Sequence, residues 1–258
     1  MGAVKLEQAQ RLARERGVSR PLYAAVRVSV VPFLRVWFRM RITGAEHIPA
    51  TGPAIVVPNH KSFWDSFFIA VATPRHVRFM GKAELFEGWR ARPLVGLGAF
   101  PVRRGQSDQE ALETAREVLR QGHLLALFPE GTRVPDPDSL GSPRRGAGRL
   151  ALEAGAPLIP AAISGTDHLW AGPFPKPKRV QVAFAAPIAV DELASTPEAA
   201  GELIDKQVWP QVEGEFRRLR ARPGVIAAAV AALGLGAGGV ALRRRAARRR
   251  RPWWRRLR

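Results

Sequence analysis

Between residues 43 and 216, short apolar runs alternate with longer amphipathic runs, and this alternation constrains the fold more than any other feature. The short runs are partly β-branched and predict strands, and the long ones predict helices. The predicted strands are AIVVP (54–58), GAFPVR (98–103), HLLALF (123–128), PLIPAAI (157–163) and RVQVAF (179–184). The predicted helices are 62–72, 107–122, 146–155 and 197–220. Strands interleaved with helices indicate an α/β fold, with a largely parallel or mixed central sheet flanked by helices.

The first 42 residues have a different character. Residues 1–20 predict a short polar helix, and their charge argues against a secretory signal peptide. Residues 21–42 mix apolar and aromatic side chains with four arginines, which fits a helix lying on a membrane surface and leading into a strand near 37–43. An ordinary core-packing helix fits the same pattern. We expect a membrane-facing N-terminal helical segment over 1–42.

The positive charge is concentrated in the tail. Of the net charge of +19, residues 217–258 carry +14 and residues 1–216 carry +5. Within the tail, residues 225–242 are eighteen uncharged residues, which as a helix would span about 27 Å. They predict a membrane anchor, an interfacial helix or a linker. The expected organisation is therefore N-terminal helices (1–42), a catalytic or binding domain (43–216) and an apolar, arginine-rich tail (217–258).

The chain contains no cysteine. This excludes disulfide bonds, thiolate zinc sites and thiol nucleophiles. Any reactive group must come from other side chains.

A histidine and an aspartate follow the first predicted strand of the domain, in the sequence NHKSFWD (59–65). One interpretation is a helix cap, in which Ser62 and Asp65 form a capping box. The other is a dyad: with His60 in the loop before the helix, Asp65 would accept the Nδ1 proton and leave Nε2 as a general base.

Two further predicted strands end in charged residues. LFPEGTR (127–133) offers an arginine fork for phosphate or carboxylate, a glycine that permits close approach, and Glu130, which would orient Arg133 or bind a hydroxyl. A simple turn with a Glu–Arg pair is the alternative. GAFPVRR (98–104) ends in two arginines, and Lys82 lies nearby in GKAELF. Because ligands of open α/β sheets bind beyond the carboxyl ends of the strands, these groups together favour a phosphate-bearing substrate.

Four of these segments, in this order, resemble the motifs of the glycerolipid (1-acylglycerol-3-phosphate O-acyltransferase) family. They are N-H-x-S-x-x-D (59–65), GAFPVRR (98–104), FPEGTR (128–133) and PLIPAAI (157–163). The resemblance covers about residues 40–190. It implies transfer of a fatty acyl group from acyl-CoA or acyl-carrier protein to a lysophospholipid hydroxyl, most simply 1-acylglycerol-3-phosphate, giving phosphatidic acid.

The resemblance also implies roles for particular residues. His60 would be the general base and Asp65 its orienting partner. Pro160 would lie near the acyl or acceptor site, and no metal or cofactor beyond the acyl donor is expected. The residues implied to bind the acceptor's glycerol phosphate are Lys82, Arg104, Glu130, Gly131, Thr132 and Arg133.

The chain departs from the family pattern in ways that leave the acceptor open. Val134 follows FPEGTR where the family often has serine, and Arg145-Gly146 replaces the usual Lys-Gly. A different lipid acceptor is therefore an alternative. A nucleic-acid-binding protein that uses the basic tail is another, although the body carries little charge. We expect the tail to meet anionic lipid, with the protein at the cytoplasmic face of the cell membrane, peripheral or anchored by 225–242.

Overall fold

The computed structural model describes residues 2–103, 105, 108–171 and 174–221. The α-helices are α1 (Gly2–Glu15), α2 (Arg20–Trp37), α3 (Asp65–Ala72), α4 (Ala91–Gly96), α5 (Gln109–Arg120), α6 (Gly146–Ala154), α7 (Pro197–Glu202) and α8 (Trp209–Arg220). A π-helical turn, Leu203–Val208, joins α7 to α8, and short 3-10 helices cover Ala45–His47, Ala83–Phe86 and Gly88–Arg90. The strands are β1 (Arg41–Thr43), β2 (Ala54–Pro58), β3 (Val77–Lys82), β4 (Ala99–Val102), β5 (Leu124–Ala126), β6 (Leu158–Ser164), β7 (Trp170–Ala171), β8 (Phe174–Pro175) and β9 (Gln181–Phe184).

Seven strands form one mixed, mostly parallel sheet in the order β1-β9-β6-β2-β5-β3-β4. Every neighbouring pair is parallel except β6 and β9, which are antiparallel, and β7 and β8 form a separate antiparallel pair. The fold is therefore the expected α/β architecture. It places β2, β5, β3 and β4 side by side and parallel, so that their carboxyl ends lie along one edge.

The sheet separates two hydrophobic cores, and alternate residues of each strand serve opposite faces. Ile55 and Val57 of β2 pack into the core that includes side chains of α1, α5, α6 and α8, whereas Ala54 and Val56 pack into the core that includes α2 and α3. Because β2 is fully buried on both faces, its run of apolar residues is continuous rather than alternating.

Two sequence predictions differ from the structure. No strand was predicted over 77–82, yet β3 lies there, between β5 and β4. Arg78 interrupts the apolar pattern, but it is fully buried and donates to the carbonyl oxygens of Gly98 and Ala13. Burial lowers the pKa of Arg78 to about 10. The helix predicted from residue 62 begins only at Asp65, because the preceding residues form a loop.

Among the residues that the structure describes, none of the helices combines the length and the apolar character needed to cross a membrane. The predictions for 225–242, for the rest of the tail beyond residue 221 and for Arg104 concern residues outside the described part of the chain.

Candidate active site

The loop after β2, residues 59–64 (the His60 loop), is fixed to the sheet at its first residue. The Asn59 amide donates to the Ile163 carbonyl at 3.1 Å and accepts from the Ile163 N–H at 2.8 Å. Asn59 is fully buried, so its side chain replaces a backbone pair beyond the end of β2. The next residue, His60, therefore starts from a defined position at the carboxyl edge of the sheet.

His60 is hydrogen bonded to Asp65 as the loop interpretation predicted. Its Nδ1 lies 2.8 Å from Asp65 Oδ2, and both side chains are buried. On one face, the imidazole stacks on Phe128, with ring centroids 4.1 Å apart. The ring is thereby held in one orientation, and Nε2 is the nitrogen not engaged by Asp65.

A single oxygen of Asp65 organises the whole loop. Besides His60 Nδ1, Oδ2 accepts the backbone N–H of Lys61 at 2.6 Å and of Ser62 at 2.7 Å. The bond from Ser62 is half of the capping box that the sequence suggested. Ser62 Oγ instead accepts from the N–H of Trp64 at 3.3 Å. The cap and the dyad are thus two aspects of one arrangement, because the same carboxylate serves both.

Glu130, in the turn that follows the neighbouring strand β5, fixes the His60 loop. Its Oε2 accepts the N–H of His60 at 2.5 Å, and its Oε1 accepts the N–H of Gly141 at 2.8 Å. Glu130 therefore binds backbone amides rather than orienting Arg133. Burial raises the pKa of Glu130, and the two N–H groups together with the charges of Lys61 and His60 oppose this shift.

Two of the predicted cations face the same apolar groove as His60. Lys82, at the end of β3, and Arg133 both line it. Lys82 is half-exposed and pairs with Glu84 at 3.0 Å. Arg103 is turned elsewhere: it pairs with Asp108 at 3.4 Å and is not part of the groove lining.

The remaining predicted residues that the structure describes, Gly131, Thr132 and Pro160, do not line the groove. Gly131 has a φ of +69° and lies against the guanidinium of Arg144, where a Cβ would come within 3.0 Å of it. Thr132 is exposed at the surface. Pro160 is buried within β6 opposite Val57, and its carbonyl accepts from Ala185 N–H at 2.8 Å.

The groove begins at His60 and runs beneath α2. It has a volume of about 250 Å³ and is lined mainly by apolar side chains of α2, α3, β3 and α4. Lys82, Arg133 and His60 belong to the carboxyl edge of the sheet, whereas Tyr23 lies against His76, just before β3 begins. Four consecutive residues of β3, from Phe79 to Lys82, line the groove, so it follows this strand for about 10 Å. Its shape suits a long, thin apolar ligand.

Sequence reasoning missed the groove because its walls come from segments far apart in the chain. The apolar face of α2 gave the only signal. Sequence reasoning also missed the stacking of Phe128 on His60 and the burial of Lys61, the residue after His60. Within the described ranges, no group of three or more histidine and carboxylate side chains could hold a metal ion.

Comparison with known proteins gives a consistent result. Residues 39–164 match the sequence pattern of the Acyltransferase family. The chain is 30% identical over 128 residues to a 1-acyl-sn-glycerol-3-phosphate acyltransferase of Bacillus subtilis, covering 49% of this chain and 63% of that protein. It is 31% identical over 150 residues to a chloroplastic 1-acyl-sn-glycerol-3-phosphate acyltransferase of Arabidopsis thaliana, covering 55% of this chain and 39% of that protein. The chain thus spans less than two thirds of the length of these relatives.

The fold agrees with the sequence comparison. The crystal structure of the 1-acyl-sn-glycerophosphate acyltransferase PlsC of Thermotoga maritima superposes with a TM-score of 0.58 and 26% identity, covering 86% of this chain and 89% of that one. The matching region contains the His60 loop, the groove-lining strands and Glu130. Sequence and fold lead to the same assignment: residues 39–164 match the acyltransferase family, and the fold matches that of the Thermotoga maritima acyltransferase.

Proposed function

We propose that this protein transfers a fatty acyl group from a thioester donor, acyl-CoA or acyl-carrier protein, to the hydroxyl of 1-acylglycerol-3-phosphate, giving phosphatidic acid. The observation that carries the proposal is the hydrogen-bonded pair His60–Asp65 at the head of an apolar groove that Lys82 and Arg133 also line. A base, an apolar channel and positive charge are the features that a reaction between an acyl thioester and a lipid phosphate requires. Residues 43–216 would carry this chemistry.

In the proposed reaction, His60 is the general base. Nε2 takes the proton of the acceptor hydroxyl as the hydroxyl oxygen attacks the thioester carbonyl, and the carrier thiolate leaves when the tetrahedral intermediate collapses. The imidazolium formed on the way is stabilised by Asp65, whose carboxylate lies 2.8 Å from Nδ1. The proton passes from His60 to the departing thiolate, which restores the neutral base.

The charged groups at the groove entrance would position the acceptor. Lys82 and Arg133 both line the groove beside His60, so a phosphate bound between them brings the neighbouring hydroxyl to the base. Glu130 would act through the backbone of the His60 loop rather than by touching the lipid. The binding roles of Arg104, Gly131, Thr132 and Pro160 stay predictions.

The groove would hold a fatty acyl chain, because its walls are apolar and it extends away from the charged entrance. The outer face of α2 supports a position at the membrane surface. The apolar side chains exposed on and near this helix are Val28, Phe33, Val36, Trp37 and Phe63. Together with the arginines of α2, they would lie at the headgroup level of a bilayer. Residues 1–42 would thus face the membrane, and the basic tail (217–258) would add contacts to anionic lipid.

The test is an acyl-transfer assay with purified protein, labelled acyl-CoA and a panel of lysolipid acceptors, with the products separated by mass. We expect phosphatidic acid as the main product, and we expect His60→Ala to lower turnover by at least about 10²-fold. His168→Asn is the matched control, because His168 is exposed and has a positive φ that asparagine tolerates. Acylation of a different lipid would correct the acceptor, and near-normal turnover by folded His60→Ala would exclude His60 as the base.

A further inference from the structure

Lys61, the residue after the proposed base, is a buried lysine whose ammonium group points away from the groove lining. Its exposure is only 8%. Nζ donates to the carbonyl oxygen of Asp136 at 2.6 Å and also to the carbonyl oxygen of Ser139. A buried ammonium is costly unless it is well bonded, so its contacts define a fixed structure.

Both carbonyls belong to the irregular segment between β5 and α6, residues 131–145 (segment 131–145). Two other bonds join this segment to the His60 loop or to Glu130. The N–H of Val134 donates to the His60 carbonyl at 2.9 Å, and the N–H of Gly141 donates to Glu130 at 2.8 Å. Segment 131–145 has no sheet or helix ladder of its own. These bonds and those of Lys61 hold it in position, together with the bond from the Arg144 N–H to the Pro129 carbonyl and the packing of Leu140 against the core.

A third element completes the arrangement around Lys61. Nζ lies 5.3 Å from the centroid of the Phe216 ring of α8, which is a cation–π distance. Phe216 is itself buried. The lysine therefore joins the His60 loop, segment 131–145 and α8.

We propose that Lys61 is a positioning residue that holds segment 131–145 in place and thereby fixes Arg133 at the groove entrance for the acceptor phosphate. This inference rests on the proposed function. Arg133 is the second residue after Gly131, at the start of the segment, whereas the carbonyls bound by Lys61 lie a few residues further on. Loss of these bonds frees the stretch of chain that carries Arg133.

The base itself should be much less affected. The backbone N–H of Lys61, which binds Asp65 Oδ2, is present whatever side chain stands at this position. The His60–Asp65 bond is likewise independent of the lysine side chain. Removal of the ammonium should therefore weaken acceptor binding more than the chemical step, raising KM for the acceptor while kcat changes little.

The experiment compares Lys61→Met, which keeps the aliphatic stem, with Lys61→Arg, which keeps the charge and can bind two carbonyls and a ring face. Lys178→Met is the matched control, because Lys178 also donates to a backbone carbonyl, that of Asp167 at 2.6 Å, outside the groove lining. KM for 1-acylglycerol-3-phosphate and for acyl-CoA and kcat are measured for each. In parallel, hydrogen exchange is measured at the amides of Val134 and Gly141.

For Lys61→Met we expect KM for the lysolipid to rise roughly tenfold, with KM for acyl-CoA nearly unchanged and faster exchange at both amides. Lys61→Arg should have a KM for the lysolipid and amide exchange rates close to those of the wild type. Lys178→Met should change neither quantity. Unchanged exchange in folded Lys61→Met, or a loss confined to kcat, would overturn the proposal. The exchange measurement does not need activity, so a wild type inactive on every lysolipid would refute the proposed function, whereas unchanged exchange would refute only the role of Lys61.

Discussion

Replacing Asp65 by asparagine separates two contributions of this carboxylate, its charge and its geometry. Oδ2 accepts all three hydrogen bonds, whereas Oδ1 is buried and accepts none. The asparagine oxygen should therefore occupy the position of Oδ2, and its NH₂ group that of Oδ1. In this orientation His60 keeps its Nδ1–H tautomer, and only the negative charge is lost.

The cost follows from the distance between the two groups. Opposite charges about 4 Å apart attract by about 4 kcal/mol at an effective dielectric constant of about 20. This is the stabilisation that the imidazolium would lose, and it corresponds to a factor of about 10³ in rate. Since the charge is only partly formed in the transition state, we expect Asp65→Asn to lower kcat by about 10²- to 10³-fold, with little change in KM.

The assay is steady-state acyl transfer by Asp65→Asn, Asp65→Ala and His60→Ala, with thermal unfolding to confirm folding. Asp65→Ala should be much less stable, because it leaves up to three donors without an acceptor, at about 1–3 kcal/mol for each one that stays buried. A folded Asp65→Asn protein within threefold of wild-type kcat would show that the charge does not matter. A loss in kcat well beyond about 10³-fold would show that the asparagine does not keep the imidazole oriented.

Three further predictions concern stability, and each is measured by urea unfolding. Glu130→Gln should cost about 2 kcal/mol, since an amide has one acceptor oxygen for two N–H groups. Because burial raises the pKa of Glu130, the stability of the wild type should fall as pH rises from 4.5 through the raised value. The variant should lack this dependence on pH. Asp108→Ala should cost about 1 kcal/mol by removing the N-cap of α5. Burial alone would raise the pKa of Asp108, but hydrogen bonds and the guanidinium of Arg103 lower it. The difference in stability between variant and wild type should therefore disappear as pH falls through that lowered pKa. Gly148→Ala should cost about 1–3 kcal/mol, because its Cβ would lie 2.6 Å from the Ala200 carbonyl, whereas Gly214→Ala, with open space around it, should not destabilise. A wild-type free energy of unfolding that does not change with pH would contradict the first two assignments. Equal costs for Gly148→Ala and Gly214→Ala would contradict the third.

The parts of the fold that could be predicted from sequence are those with local causes. Strand β2 has the predicted bounds, because five consecutive apolar residues fit a strand buried on both faces. Strand β3 could not be predicted, because the pairing of buried Arg78 with the carbonyls of Gly98 and Ala13 depends on tertiary structure. The start of α3 at Asp65 could not be predicted either, because it depends on the bonds between the Asp65 carboxylate and the loop before the helix.

The candidate site follows the same rule. The bond between His60 and Asp65 joins residues five apart, so their spacing was informative. Glu130 binds backbone groups 70 and 11 residues away, and no sequence pattern distinguishes this from a pair with Arg133. The groove could not be predicted from the sequence either, because it forms only when α2 packs beside β3 and α3.

Helix α2 borders the groove on one side and presents uncovered valines, at positions 28 and 36, on another. If that outer side rests in lipid as proposed, the wall of the channel is also the part of the protein in contact with its surroundings. Bilayer thickness and lateral pressure would then act on the channel through a single helix. We therefore expect the preference among acyl chains to change between detergent micelles and vesicles, and chain selectivity to belong to the enzyme and its membrane jointly.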